Sequence, residues 1–218
     1  MKSVTYPFAC AVVVLTATGA WAQVENMGPK AATYITDADI KKVNALPGVD
    51  RQIVSVDVGK LNEAVGIVHR GTLRPGAPPA AGAAPAAAAP AAAEMCGAPA
   101  PGPGAAVAGT GIAHDHQTET YIIVSGSGTM ITGGQIAGGR KSAPDSAVTT
   151  TLNGPSCSGR IIGADVVRRV VNVGDIIIIP AGVPHGWAEI PDHVDYLSVR
   201  PDPDRVLKPY VHPAVAKK

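Results

Sequence analysis

Residues 114–128 read HDHQTETYIIVSGSG. His114, His116 and Glu119 lie within six residues, ahead of an apolar run that ends in glycines. Imidazole nitrogens and a carboxylate oxygen are donors for a divalent transition ion. On a strand, residues i and i+2 share a face, so His114 and His116 project together while Asp115 points away. An HxH pair alone is a weak signal, because such histidines also decorate ordinary surfaces. On an unbroken strand Glu119 would face away from both, so either a bulge turns it inward or histidines and water hold the ion without it.

A second stretch strengthens the case. Gly174-Asp175 is followed by four isoleucines, then Pro180-Ala181-Gly182 and, after Val183-Pro184, His185. A glycine turn, a β-branched strand and a Pro-x-Gly turn form a stiff device that can present one imidazole at the start of the next strand.

Taken together, the two stretches resemble the paired signature motifs of the cupin superfamily. The family patterns run roughly G-x5-HxH-x3,4-E-x6-G and G-x5-PxG-x2-H-x3-N. His114, His116, Glu119 and Gly126 match the first, and Gly174, Pro180, Gly182 and His185 match the second. The resemblance covers about residues 105–200. It implies an all-β, double-stranded β-helix barrel holding one divalent transition ion (Fe, Mn, Ni, Cu or Zn) with His114, His116, Glu119 and His185. Three departures stand out. Only Gln117 and Thr118 separate His116 from Glu119, Glu189 replaces the asparagine of the second motif, and Gly109 and Gly111 lie only near the first motif's glycine.

Around this set lie weaker candidates. Tyr121 shares strand parity with Glu119; core packing is its plain reading and lining the cavity the other, and Trp187 reads the same way. Glu189 and Tyr121 are the acid or base candidates. His69 reads as packed or surface, with a pocket role as the alternative. Arg200 is an exposed strand-end residue or a contact for an acidic ligand. His193 and His212 read as surface residues. The stretch GQIAGGRKS misses the phosphate-loop pattern, because Arg140 interrupts the required Gly-Lys-Ser and no helix follows.

The elements that must place these residues are mostly strands. The chain has 218 residues and a net charge of +1, which gives no electrostatic argument for nucleic acid. Residues 1–22 carry an early lysine, an apolar run and Ala20-Trp21-Ala22, the pattern of a secretory signal peptide cleaved after Ala22. The apolar run is shorter than the roughly 20 residues that span a bilayer, so no transmembrane helix is expected after processing. The expected location is secreted or periplasmic. Export favours a Cys96–Cys157 bridge, the alternative being two free thiols.

Residues 23–74 should supply a short helix, about 37–45, started at Thr36 or Asp37 and stopped by Pro47-Gly48, and then a hairpin. Residues 75–104 are an Ala/Pro-rich insertion that cannot build a core. The cupin core is expected at 105–207, with two strands around a Gly126–Gly128 turn and a long polar insertion over 133–159. Residues 208–218 read as a coil or helical tail.

Three functions compete. One is a metal-dependent enzyme on a small organic molecule, dioxygenase-like or isomerase/decarboxylase-like. Another is a non-catalytic cupin that binds a small molecule, and the third is a structural barrel. A homodimer is plausible by resemblance.

Overall fold

The computed structural model describes residues 31–75 and 94–216. The expected signal peptide and most of the Ala/Pro-rich stretch lie outside these residues.

Helix α1 (Asp37–Asn44) starts where the sequence indicates. Thr36 is the N-cap, and its side chain and that of Asp39 satisfy each other's backbone N–H groups. Strands β1 (Asp50–Asp57) and β2 (Asn62–Arg70) form the expected hairpin. The helix covers the outer face of this hairpin, with Val43 packed on Ile53, Val54 and Ile67.

The rest is an antiparallel β barrel. Its strands are β3 (Met95–Cys96), β4 (Gly109–His114), β5 (Glu119–Thr132), β6 (Gln135–Lys141), β7 (Ser156–Ile162), β8 (Val167–Asn172), β9 (Ile176–Ile179), β10 (His185–Glu189), β11 (Val194–Asp202) and β12 (Tyr210–Val211). The strand order is β12-β1-β2-β11-β5-β10-β4-β7-β6-β3, with β8 and β9 also paired to β5. This is the all-β double-stranded β-helix that the motifs imply.

Strand β5 is the spine. Its first half pairs with β11 and β9, and its second half with β10 and β8. The sequence predicts a turn at Gly126–Gly128 with a strand on either side; the structure has one bent strand instead. Gly126 has φ +67°, and a Cβ there would lie 1.9 Å from the His193 carbonyl oxygen. A Cβ on Gly128 would lie 2.8 Å from the Trp187 ring. These glycines let the backbone bend from one side of the barrel to the other while keeping its ladders.

Two other expectations are corrected. The polar stretch 133–159 is largely structured: it contains β6, a π-helical turn at Val148–Leu152 and the start of β7. Glycines and serines hid this strand pairing, because a strand that packs backbone against backbone has little apolar alternation to read. The tail is not simply coil or helix, since Tyr210 and Val211 add β12 to the edge of β1.

Cys96 and Cys157 are bonded, with Cα atoms 6.0 Å apart. The bridge ties β3 to β7 across β6. Gly139 makes room for it, since a Cβ there would lie 2.7 Å from the Cys157 sulfur. Reduction, or Cys157→Ser, should lower unfolding stability by about 2–4 kcal/mol. Denaturant titration with and without reductant measures this, and an unchanged midpoint would refute it.

Candidate metal centre

The end of β4 and the start of β5 face each other across a short turn. β4 stops at His114, whose residue pairs with Ser156 of β7. Residues 115–118 leave the strand, and β5 begins at Glu119. This break resolves the parity problem: with no continuous strand between them, His114 and Glu119 both point inward, and both are buried.

The same break removes His116 from the centre. Its imidazole is 56% exposed and lies 3.3 Å from Asp204. The expectation that His114 and His116 project together fails because i, i+2 parity applies only within a strand. Asp115 faces Lys141, with Nζ donating to Oδ1 at 2.7 Å. Gln117 is fully buried and donates to Asp202 Oδ1 at 3.1 Å. His116→Ala should therefore leave metal content at the wild-type level, as elemental analysis would show. Loss of the ion in that variant would contradict this placement.

The third ligand candidate arrives on β10. His185 pairs with Ile112 of β4 and Thr132 of β5. The Pro-x-Gly turn is tied to the site by the Gly182 N–H, which donates to the His114 carbonyl at 2.7 Å. Close approach of β4 and β10 depends on glycine: a Cβ on Gly111 would lie 2.1 Å from the His185 carbonyl oxygen.

Ligand atoms of His114, Glu119 and His185 all lie within 4.8 Å of one another, and all three residues are buried. His114 Nε2 is 2.8 Å from Glu119 Oε2. His185 Nε2 is 3.0 Å from the same oxygen but lacks hydrogen-bond geometry. His185 Nδ1 is 3.0 Å from the Val183 carbonyl, which can only accept, so the proton is assigned to Nδ1. The Nε2 lone pair then faces a carboxylate oxygen in a buried site. Two electron-rich atoms held so close call for a proton or a metal ion between them. Two imidazoles and one carboxylate converging in this way fit a divalent transition ion.

Glu119 is the hub. Tyr121 donates its hydroxyl to Oε2 at 3.0 Å. Ser198 Oγ donates to Oε1 at 2.7 Å, and Arg200 Nε donates to Oε1 at 2.6 Å. Burial alone would raise the Glu119 carboxyl, but His114 and the Arg200 guanidinium outweigh it and hold it well below the usual range. Burial and the neighbouring carboxylate push the Tyr121 phenol up, so it stays a neutral donor.

The other candidates sort plainly. Tyr121 lies in the site, its ring 5.8 Å from His185 and 4.2 Å from Tyr196. Trp187 is buried against Tyr196 in the adjoining core. Arg200 is buried, not exposed, and the acid it contacts is the chain's own Glu119. Glu189 is exposed at the end of β10, outside the cluster of His114, Glu119 and His185, and so is not placed as an acid or base there. His69 is half-exposed, pairs with Asp195 at 2.6 Å and lies outside the centre, as a surface residue and not a pocket one. Sequence reasoning missed Ser198 and Asp50. For Ser198 the signal was strand parity in β11, where Tyr196, Ser198, Arg200 and Asp202 alternate onto the buried face; Asp50, on β1, had none.

Both motifs thus meet inside the barrel: β4 and β5 deliver His114 and Glu119, and the Pro-x-Gly turn delivers His185.

No protein-family model matches the chain, and no curated protein matches it. Among solved structures, it is similar to an uncharacterized Klebsiella pneumoniae protein with a double-stranded beta-helix domain. That match has 14% identity and a TM-score of 0.37, over 80% of this chain and 94% of that one. The Drosophila melanogaster CENP-C cupin domain matches at 12% identity and a TM-score of 0.30, over 79% and 84%. An oxalate oxidase in complex with glycolate matches at 13% identity and a TM-score of 0.34, over 80% and 62%. Likeness this distant says nothing of this chain's ligands or reaction.

Proposed function

We propose that this cupin is an exported metal-dependent enzyme that acts on a small organic molecule, with one divalent transition ion held by His114, Glu119 and His185. The observation that carries the reading is the convergence of three buried donors, since ligand atoms of His114, Glu119 and His185 all lie within 4.8 Å of one another. Two imidazoles and one carboxylate are the donor set of non-haem Fe(II) oxygenases, so an O2-dependent, dioxygenase-like reaction is favoured over Lewis-acid isomerase or decarboxylase chemistry. When bound, the ion would supply open positions for O2 and substrate.

The chain's own residues support this chemistry in three ways. The Val183 carbonyl fixes the His185 ring and its tautomer. Arg200 and Ser198 keep Glu119 ionised and in place. Tyr121, Tyr196 and Trp187 give the adjoining interior an aromatic wall that excludes water. The Cys96–Cys157 bridge supports export to an oxidising compartment. Exposed Ile176 and Ile178 on β9 support a homodimer.

A second reading is a non-catalytic barrel that binds a small molecule. It is favoured by one observation: the hydroxyl of Tyr121 and the guanidinium of Arg200 are both committed to Glu119, and Glu189 lies outside. The test is anaerobic Fe(II) titration of the stripped protein, followed by O2-uptake measurements with a panel of small carboxylates and phenols. About one equivalent bound, with substrate-dependent O2 uptake, is the expected result. Binding without turnover of any substrate selects the second reading. A folded protein that takes up no ion overturns the metal centre.

A further inference from the structure

Glu119 offers two oxygens, and the barrel treats them differently. Oε2 faces His114, His185 and Tyr121. Oε1 faces away from the imidazoles and accepts from Ser198 at 2.7 Å and Arg200 at 2.6 Å. We propose that Arg200 is a positioning residue that, with Ser198, confines Glu119 to donation through one oxygen and so biases the centre toward ions that prefer imidazole. The inference rests on the metal-centre reading above and deepens it.

The guanidinium is held from behind. Its NH2 group donates to Asp50 Oδ2 at 2.6 Å, and NH1 donates to Gln52 Oε1 at 3.4 Å. Arg200 itself is 1% exposed. Its seat against β2 is shaped by a missing side chain, since a Cβ on Gly66 would lie 3.3 Å from Arg200 NH1 and 3.3 Å from Asp50 Oδ1. Arg200 is therefore held by hydrogen bonds at both ends, to β1 and to Glu119. Releasing Oε1 to an ion would leave the buried Nε–H and the Ser198 hydroxyl without that acceptor.

Two consequences follow for the ion. The carboxylate cannot bind it through both oxygens, and the adjacent positive charge offsets part of the carboxylate's charge. What remains is two neutral imidazoles and one weakened oxygen. Hard ions such as Mn(II) depend on oxygen donors and charge, whereas Zn(II), Ni(II), Cu(II) and Fe(II) are well served by imidazole.

The test measures Zn(II) and Mn(II) affinities by competition titration. It uses the wild type, Ser198→Ala and the double variant Arg200→Met/Asp50→Asn, each purified from an exporting host. Removing Arg200 and Asp50 together avoids stranding Asp50 without its cation. In the double variant the Zn(II)-to-Mn(II) affinity ratio should fall by roughly tenfold, chiefly through tighter Mn(II) binding. In Ser198→Ala it should fall by roughly threefold. The visible spectrum of the Co(II)-loaded protein should shift in the same order, reporting the added oxygen. Equal weakening of both ions, with the ratio unchanged, would mark Arg200 as purely structural and overturn the inference while leaving the metal centre standing. Should near-UV circular dichroism show the double variant unfolded, the ratio in Ser198→Ala decides. A folded wild type that binds neither ion overturns the metal centre, and the inference with it.

Discussion

His185→Ala should empty the centre. Elemental analysis is expected to give about one ion per chain in the wild type and roughly a tenth of that or less in the variant. Loss of a mere supporting hydrogen bond costs about 10–100-fold in metal affinity, and loss of a direct ligand costs at least as much. His114→Ala should behave the same way, because only three protein donors converge among the described residues. The fold should survive both changes. His185 lies at the start of a five-residue strand whose ladder bonds are made by backbone, and the bond its Nδ1 gives up is a local one to the Val183 carbonyl. Circular dichroism distinguishes an empty barrel from an unfolded one. Metal retained at wild-type level in His185→Ala would refute the centre as drawn.

Arg200→Met should be the most destabilising single change in the centre. It leaves the buried Glu119 and the part-buried Asp50 without their shared cation. Breaking a buried ion pair from one side typically costs about 3–5 kcal/mol, mostly because a charge is left uncompensated. Equilibrium denaturant unfolding should show a loss of that size, and adding Asp50→Asn should restore part of it. The partial rescue is the informative result, since a simple packing defect at residue 200 would not respond to the charge of Asp50. A loss below about 1 kcal/mol would show the pair to be solvated and energetically minor.

Much of this molecule was legible from residue order. The helix over 37–44 could be read because its start is local chemistry: a Thr36 side chain, early carboxylates and later lysines. The β1–β2 hairpin was legible from β-branched runs around a short turn. His185 was legible because a Pro-x-Gly turn after a strand leaves little freedom in where the next residue points. The bent β5 and the strand β6 were not legible. Gly126, Gly128, Gly138 and Gly139 look like turns in sequence, yet in the barrel they mark close backbone approach.

The candidate centre divides in the same way. The sequence by itself determined the cupin resemblance, the strand character of the chain, the pairing of Cys96 with Cys157 as the favoured option, and His114, His116, Glu119 and His185 as the candidate donors, with the place of Glu119 left open. Only the tertiary structure decided that His116 stands outside, that Arg200 is buried on Glu119, and that Ser198 and Asp50 complete the network. The reason is physical. Periodicity reports facing only inside an unbroken strand, and the strand breaks between His114 and Glu119. Ion pairs such as Arg200 with Asp50 join residues 150 apart in the chain, and no local pattern encodes that closure.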